Sequence, residues 1–342
     1  KYPGGCKMSF QDILTKLIKK ENLDSSEAKE LMKAIIEKKL TDSQTGGALI
    51  ALQNKGVCAE ELSAFVEILK TFAVQINTDV KPLIDTCGTG GDKSCTFNIS
   101  TVSAFVLAGC GVFVAKHGNK AVSSGCGSAD VLEKLGINIS LSPENTKKCI
   151  EQIGIGFMFA PLYHPAFRNV AHIRKELGVR TVFNMLGPLL NPASVDGQII
   201  GIFEPALINL YIGTLKRLGI KNAMVFYGDG LDEITLCGET NITQLANGKI
   251  KTFSIKPEDF GFNRCTKDEL KGGNLEENAR IFLEILNGSK SAKRDIVLLN
   301  AAAGLIVAEK AKSFEEGIKM AVEAIDNGNA LKKFEEFKRL SN

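Results

Sequence analysis

The chain of 342 residues holds only three histidines, His117, His164 and His172, and none of its nine cysteines pairs in a Cys-x-x-Cys spacing. So few imidazoles, without clustered Cys/His spacing, argue against a zinc site and against a serine–histidine–aspartate triad. An odd, scattered set of cysteines in a chain this long reads as reduced and intracellular. No stretch approaches the run of about 18 apolar residues that a membrane helix needs. Lys1 to Lys7 read as a cloning leftover ahead of Met8, with no signal peptide before it, so the expected location is the cytoplasm. Net charge of +3 and a pI near 8.3 are too mild for a dedicated nucleic-acid binder, although they leave room for a local basic pocket. Two familiar phosphate motifs are also missing. No Gly-Lys-Ser/Thr closes a P-loop, and the GxGxxG spacing of dinucleotide sites is absent.

What is there concentrates between Leu83 and Asp130. A short apolar segment, Pro82-Leu83-Ile84, stops at the glycine-rich turn Asp85 to Asp92, which contains Gly88, Gly90 and Gly91. Thr96-Phe97-Asn98-Ile99-Ser100-Thr101 follows and opens an apolar helical run to Cys110. A strand, a loop able to adopt positive φ and a hydroxyl-rich helix start make a phosphate cradle, because unpaired N–H groups and the helix dipole point at the anion. Alone, the glycine cluster is as well explained by a tight turn. A second strand, Val112 to Ala115, then delivers Lys116-His117-Gly118-Asn119-Lys120-Ala121-Val122-Ser123-Ser124 at its carboxyl end. Ligands of parallel sheets bind outside the carboxyl ends of strands, so the two ends describe one basic pocket suited to two phosphates.

Along the chain, helical periodicity behind cap residues predicts four helices from about 8 to 76: Ser9 with Asp12, then Ser26, then Thr41 or Ser43, then Glu60 to Phe72. This helical unit reads as a packing or dimerisation module. From Val80 strands and helices alternate, which predicts an α/β class: a small N-terminal all-helical domain plus a large α/β domain with a mostly parallel central sheet. Residues 241 to 264 read as antiparallel strands and loops, and four amphipathic helices close the chain. The expected division is a helical domain of 8–76, joined by about 172–193, and an α/β domain of 80–171 and 197–342. Hinges are expected near Asn77 to Pro82 and Ala193 to Gly197.

Several long motifs stand in fixed order: GTGGD with TFNIST, KHGNKAVSS, GSADVLEKLG, HPAFRNVAHIRKELGVRTVFNMLGPLLNP and YGDGLDEIT. Together they resemble the anthranilate phosphoribosyltransferases of tryptophan biosynthesis, over essentially the whole chain from Met8, with the nucleoside phosphorylase/phosphoribosyltransferase-like fold that this implies. The resemblance implies transfer of a 5-phosphoribosyl group from 5-phosphoribosyl 1-diphosphate to anthranilate, with no nucleic-acid or membrane partner and a homodimer through the helical domain. It implies that Gly88, Gly91, Asp92, Thr96, Asn98, Ile99, Ser100, Thr101, Lys116 to Ser124 and Ser128 hold the phosphoribosyl diphosphate. For anthranilate it implies Gly88, His117, Asn119, Arg174 and Gly187. Arg174 by itself reads as part of a solvated charged face with Arg168, His172 and Lys175. The resemblance lifts it out, because the family's acid-binding arginine stands ten residues after the His of its HPA motif, here His164. Asp232 and Glu233 follow a strand and a turn; with Ser100 they are the expected ligands of two Mg²⁺ ions, hard cations that select carboxylate oxygen. No residue is assigned as general acid or base. Lys93, Lys120, Gly125 and Cys126 depart from the family's usual residues. Two other readings are a pyrimidine nucleoside phosphorylase, which has a longer chain, and a non-enzymatic nucleic-acid-binding relative, which would lack the acidic pair.

Overall fold

The computed structural model describes residues 9–90, 94–121 and 125–342. Four helices open it: α1 (Phe10–Ile18), α2 (Ser25–Ile36), α3 (Asp42–Lys55) and α4 (Ala59–Lys70). Ser9 and Asp12 form the reciprocal capping pair at α1, and Thr41 with Gln44 does the same at α3. Helix α2 starts before Ser26. Asp24 accepts from the N–H groups of Ser26 and Glu27, and Glu27 returns a bond to the Asp24 backbone. A carboxylate in the first turn also meets the positive end of the helix, which favours Asp24 over the serine.

The bundle is tied by one buried carboxylate. Glu61 accepts from Leu23 N–H at 2.9 Å, Cys58 N–H at 2.9 Å and Lys55 Nζ at 2.8 Å. Lys55 also donates to Asn22 Oδ1 and to the Gly56 carbonyl. The node therefore joins the α1–α2 loop, the end of α3 and the start of α4. Glu61→Ala would leave the Lys55 cation buried without its counter-charge, a loss that typically costs about 3–5 kcal/mol. A urea denaturation series is expected to show a destabilisation of that size, with Glu61→Gln milder. A shift below about 1 kcal/mol would mean that the node is not what holds the bundle.

The rest of the chain alternates: β1 (Leu83–Gly88), α5 (Ile99–Gly109), β2 (Phe113–Gly118), α6 (Ser128–Lys134), α7 (Pro143–Ile153), β3 (Ile155–Phe159), α8 (Ala160–Tyr163), α9 (Arg168–Leu177), α10 (Phe183–Leu186), β4 (Gly197–Gly201), α11 (Ile208–Arg217) and β5 (Asn222–Gly228). A hairpin of β6 (Thr240–Ala246) and β7 (Lys249–Ile255) follows, then α12 (Leu275–Leu286), α13 (Ala292–Val307), α14 (Phe314–Asp326) and α15 (Asn329–Ser341). The sheet order is β3-β2-β1-β4-β5-β6-β7, parallel through β5 and antiparallel beyond it. The expected mostly parallel sheet with a separate helical unit is therefore present. Because β2 lies on one side of β1 and β4 on the other, the strand order reverses between β1 and β4, where open α/β sheets leave a crevice.

Alternate residues feed two cores. Ile199, Met224 and Phe226 point to one that includes α5 and α13, whereas Ile200, Ala223 and Val225 point to one shared with the bundle and α11. Helix α5 is apolar nearly all round and accordingly central. Two connections between bundle and sheet run side by side: Ile76 pairs in parallel with Ala193, and Asp196 Oδ2 accepts from Leu83 N–H at 3.0 Å.

One boundary differs from the sequence reading. The segment from Asp85 to Gly88, expected as turn, continues β1, and Lys116 and His117 likewise belong to β2. Asp85 and Thr86 are fully buried, in register with Gln198 and Ile199 of β4. Polar residues survive in this central strand because they are bonded there; Asp85 Oδ1, for example, accepts from His117 N–H at 3.2 Å.

Candidate active site

A cavity of about 450 Å³ opens where β1, β2, β4 and β5 end. Gly88, Thr96, Asn98, Ile99, Ser100, Thr101, Lys116, His117, Gly118, Asn119, Lys120, Ala121 and Ser128 line it, and so do Arg174, Asp232 and Glu233. Gly187 is not among the lining residues, although its backbone lies close enough to the His117 ring to favour that ring's protonated form. Gly91, Asp92, Val122, Ser123 and Ser124 lie outside the described residues.

The acidic pair sits on a tight turn after β5. Gly228 and Leu231 exchange two backbone bonds of 3.0 Å, and Asp229 and Gly230 take positive φ between them. Asp232 Oδ2 accepts from Gly90 N–H at 2.7 Å, and Glu233 Oε1 from Ser100 N–H at 3.2 Å. The two carboxylates thus reach the glycine loop and the first turn of α5, the two features expected to cradle phosphate. The approach requires glycine: a Cβ at Gly88 or at Gly201 would overlap Asp232. Two carboxylates and the Ser100 hydroxyl form an all-oxygen set that fits a hard divalent cation.

Lys116 is buried. Its Nζ donates to the Thr86 carbonyl and to Ser100 Oγ, the latter at 3.2 Å, with Asp85 as nearby counter-charge. Desolvation lowers the lysine and raises Asp85, each offset in part by the other's charge. Lys116 therefore meets the cavity from beneath, through the serine. Lys120 turns aside and pairs with Glu133 at 2.8 Å.

A row of aromatic rings extends from His117, which lines the cavity, to Phe183. His117 meets His164 edge to face at 5.0 Å, His164 meets Phe167 at 5.6 Å, and Phe167 meets Phe183 at 5.4 Å. Arg174 ends the row with its guanidinium carbon 5.4 Å from the Phe183 centroid. Burial pulls both imidazoles far below their ordinary value, His117 to about 3 and His164 to about 4. Both rings are therefore neutral at neutral pH, so His117, the one that lines the cavity, adds no charge to it.

Profiles of the glycosyl transferase family match the chain twice, the a/b domain over residues 80–331 and the helical bundle domain over residues 11–73. The anthranilate phosphoribosyltransferase of Petrotoga mobilis is 49% identical over 334 residues, 97% of either chain. The chain belongs to the anthranilate phosphoribosyltransferase family. Among solved members of that family, the Thermus thermophilus enzyme superposes with a TM-score of 0.92 at 40% identity, covering 96% of this chain and 99% of its own. The Saccharomyces cerevisiae enzyme in complex with PRPP and Mg superposes with a TM-score of 0.88 at 28% identity, covering 97% of each chain. Another structure of the yeast enzyme holds 4-fluoroanthranilate, with a TM-score of 0.86 at 27% identity and cover of 97% of this chain and 98% of that one.

In this member of the anthranilate phosphoribosyltransferase family several contributors escaped the sequence reading. Asn300 of α13 is buried and holds the acidic turn at both ends of one residue, donating to the Ile234 carbonyl at 2.9 Å and accepting from Ile234 N–H at 3.0 Å. Its signal was a lone amide inside the apolar run Val297 to Ala303. Arg180, Asn184 and Phe203 also line the cavity, and nothing local in the sequence marks them. Of the departures, Cys126 adapts best: its Sγ lies 3.5 Å from Asn98 Oδ1, and Asn98 Nδ2 donates to the Cys126 carbonyl at 3.2 Å. Burial pushes that thiol up to about 11, so it serves as a neutral donor.

Proposed function

We propose that this chain joins 5-phosphoribosyl 1-diphosphate to anthranilate, giving N-(5-phosphoribosyl)anthranilate and diphosphate. The observation that carries the reading is one cavity lined by the acidic turn of Asp232 and Glu233, by Lys116 and Ser100, and by Arg174 with His117. In the reaction the bond from the anomeric carbon to the diphosphate oxygen breaks and a bond to the aromatic nitrogen forms. The departing diphosphate takes the electron pair, and the nitrogen proton leaves to solvent. Arg174 offers a planar fork to the benzoate carboxylate, and the neutral ring of His117, backed by His164, faces the aromatic ring. The Ser100 hydroxyl, aimed by Lys116, faces the phosphates. Asp232, Glu233 and Ser100 would hold Mg²⁺, two ions in our reading; bound there, the metal supplies charge neutralisation to the diphosphate.

The other elements of the proposal are a working division into a helical unit of 8–76 with 172–193 and an α/β unit of 80–171 with 197–342, and a homodimer through the helical unit. Small-angle scattering of the enzyme alone and with both substrates is expected to show closure about 77–82 and 193–197; identical profiles would reject it. No helix among the described residues is long and apolar enough to cross a membrane; a cytoplasmic location is part of the proposal. The function itself is tested by product formation from phosphoribosyl diphosphate and anthranilate, beside phosphorolysis of uridine and retention on single-stranded DNA. Activity in the second or third assay with none in the first would overturn the reading.

A further inference from the structure

Arg180 has no part in the roles assigned above. It stands on the exposed turn behind α9, which Gly178 closes in a left-handed conformation at φ +63°. From there its guanidinium lies over the ring of Phe203, with the central carbon 4.0 Å from the centroid. Phe203 is itself tied to the glycine loop. Its N–H donates to Thr89 Oγ1 at 3.1 Å, and Thr89 N–H donates to the Gly201 carbonyl at 2.9 Å. The next residue, Gly90, donates to Asp232. A short chain of contacts therefore runs from Arg180 through Phe203 and Thr89 to the acidic turn, and Arg180 lines the same cavity.

The other cations of the cavity occupy different places. Lys116 is bonded to the Thr86 carbonyl and Ser100, Lys120 is paired with Glu133, and Arg174 lies over a different ring, Phe183. A guanidinium resting over an aromatic ring keeps its charge beside that ring, and its planar fork suits a phosphate, which can accept two bonds at once. The ring partner of Arg180, Phe203, is bonded to Thr89, next to the Gly90 that meets Asp232, and this favours the diphosphate over the carboxylate.

We infer that Arg180 is a further diphosphate-binding residue, placed over Phe203 so that its fork meets the leaving group near the acidic turn. The inference rests on the phosphoribosyl-transfer reading and adds to it a contact from the segment that follows α9.

The test uses the full chain with Mg²⁺ and compares wild type with Arg180→Gln, Arg180→Lys and Phe203→Leu. Diphosphate binding is measured by calorimetry, and both KM values by steady-state kinetics. Arg180→Gln is expected to weaken diphosphate and to raise the KM for phosphoribosyl diphosphate about ten- to a hundredfold, with the KM for anthranilate within threefold. Arg180→Lys keeps the charge without the fork and is expected to fall between. Phe203→Leu keeps the arginine but loosens its aim, so it should shift the same two constants by less. If the rise falls on anthranilate, Arg180 reads the aromatic acid and the inference is wrong. If every constant stays within twofold while the melting curves match wild type, the arginine only packs on Phe203 and the inference is equally wrong. Calorimetry needs no turnover, so failure of the transfer reading would show separately, as a wild type that binds diphosphate and forms no product.

Discussion

Asp232→Asn is expected to lower turnover on the order of 10²–10³ with the fold intact. The amide keeps the shape of the carboxylate and its oxygen can still accept from Gly90 N–H, which Asp232 Oδ2 does now at 2.7 Å. What disappears is charge at the end of the cavity where the leaving group departs. Asp232 and its neighbour Glu233 share one turn, and they face Gly90 and Ser100 respectively. Carboxylates that divide acid and base work across a sugar stand about 5–9.5 Å apart on opposite sides of it. Adjacent residues reaching the same pair of anion-binding elements suit a shared cation instead. A leaving group that already carries several negative charges needs neutralisation more than a proton. Raising Mg²⁺ is therefore expected to restore part of the lost rate. Unchanged metal dependence together with a displaced limb of the pH–rate profile would show that Asp232 moves protons, and this assignment would fall.

How much of this was legible in the sequence depends on the range of the physics involved. Caps are local, so Ser9 with Asp12 could be read directly, and Thr41 was one of two candidates for the α3 cap. Strand and helix alternation is nearly as local, and it was enough for the parallel sheet and for placing Lys116 and Ser100 near one edge. The extent of β1 was not legible, because Asp85 and Thr86 look like turn residues until β4, more than 100 positions later, pairs with them. Tertiary pairing overrode propensity there. Contacts such as Asn300 with Ile234, or Arg180 with Phe203, join segments that no periodicity relates. The resemblance to a family supplied Arg174, which charge patterning alone would have left on a solvated face. The structure supplies the reason that it differs from its neighbours.

That difference underlies the second large effect. On α9 the charged residues part company: Arg168, His172 and Lys175 are exposed, and His172 pairs with Asp42 at 3.1 Å on the bundle. Arg174 alone of the four lines the cavity, half-buried over Phe183, and desolvation lowers its affinity for the proton without discharging it. Val170 and Ile173 anchor the helix in the core of the bundle, so the guanidinium is held in place before an acid arrives. A carboxylate accepting two bonds from such a fork gains a charge-assisted contact, typically about 1.5–3 kcal/mol, or roughly ten- to a hundredfold in affinity. Arg174→Ala is therefore expected to raise the KM for anthranilate by that factor and to leave the KM for phosphoribosyl diphosphate nearly unchanged. Arg174→Lys retains the charge but loses the fork, and is expected to recover only part of the loss. Aniline, which has the nucleophilic nitrogen without the carboxylate, should react with wild type and Arg174→Ala at similar low rates. If aniline is also turned over much more slowly by the variant, Arg174 acts on the reaction by a route other than the carboxylate and the assignment is wrong.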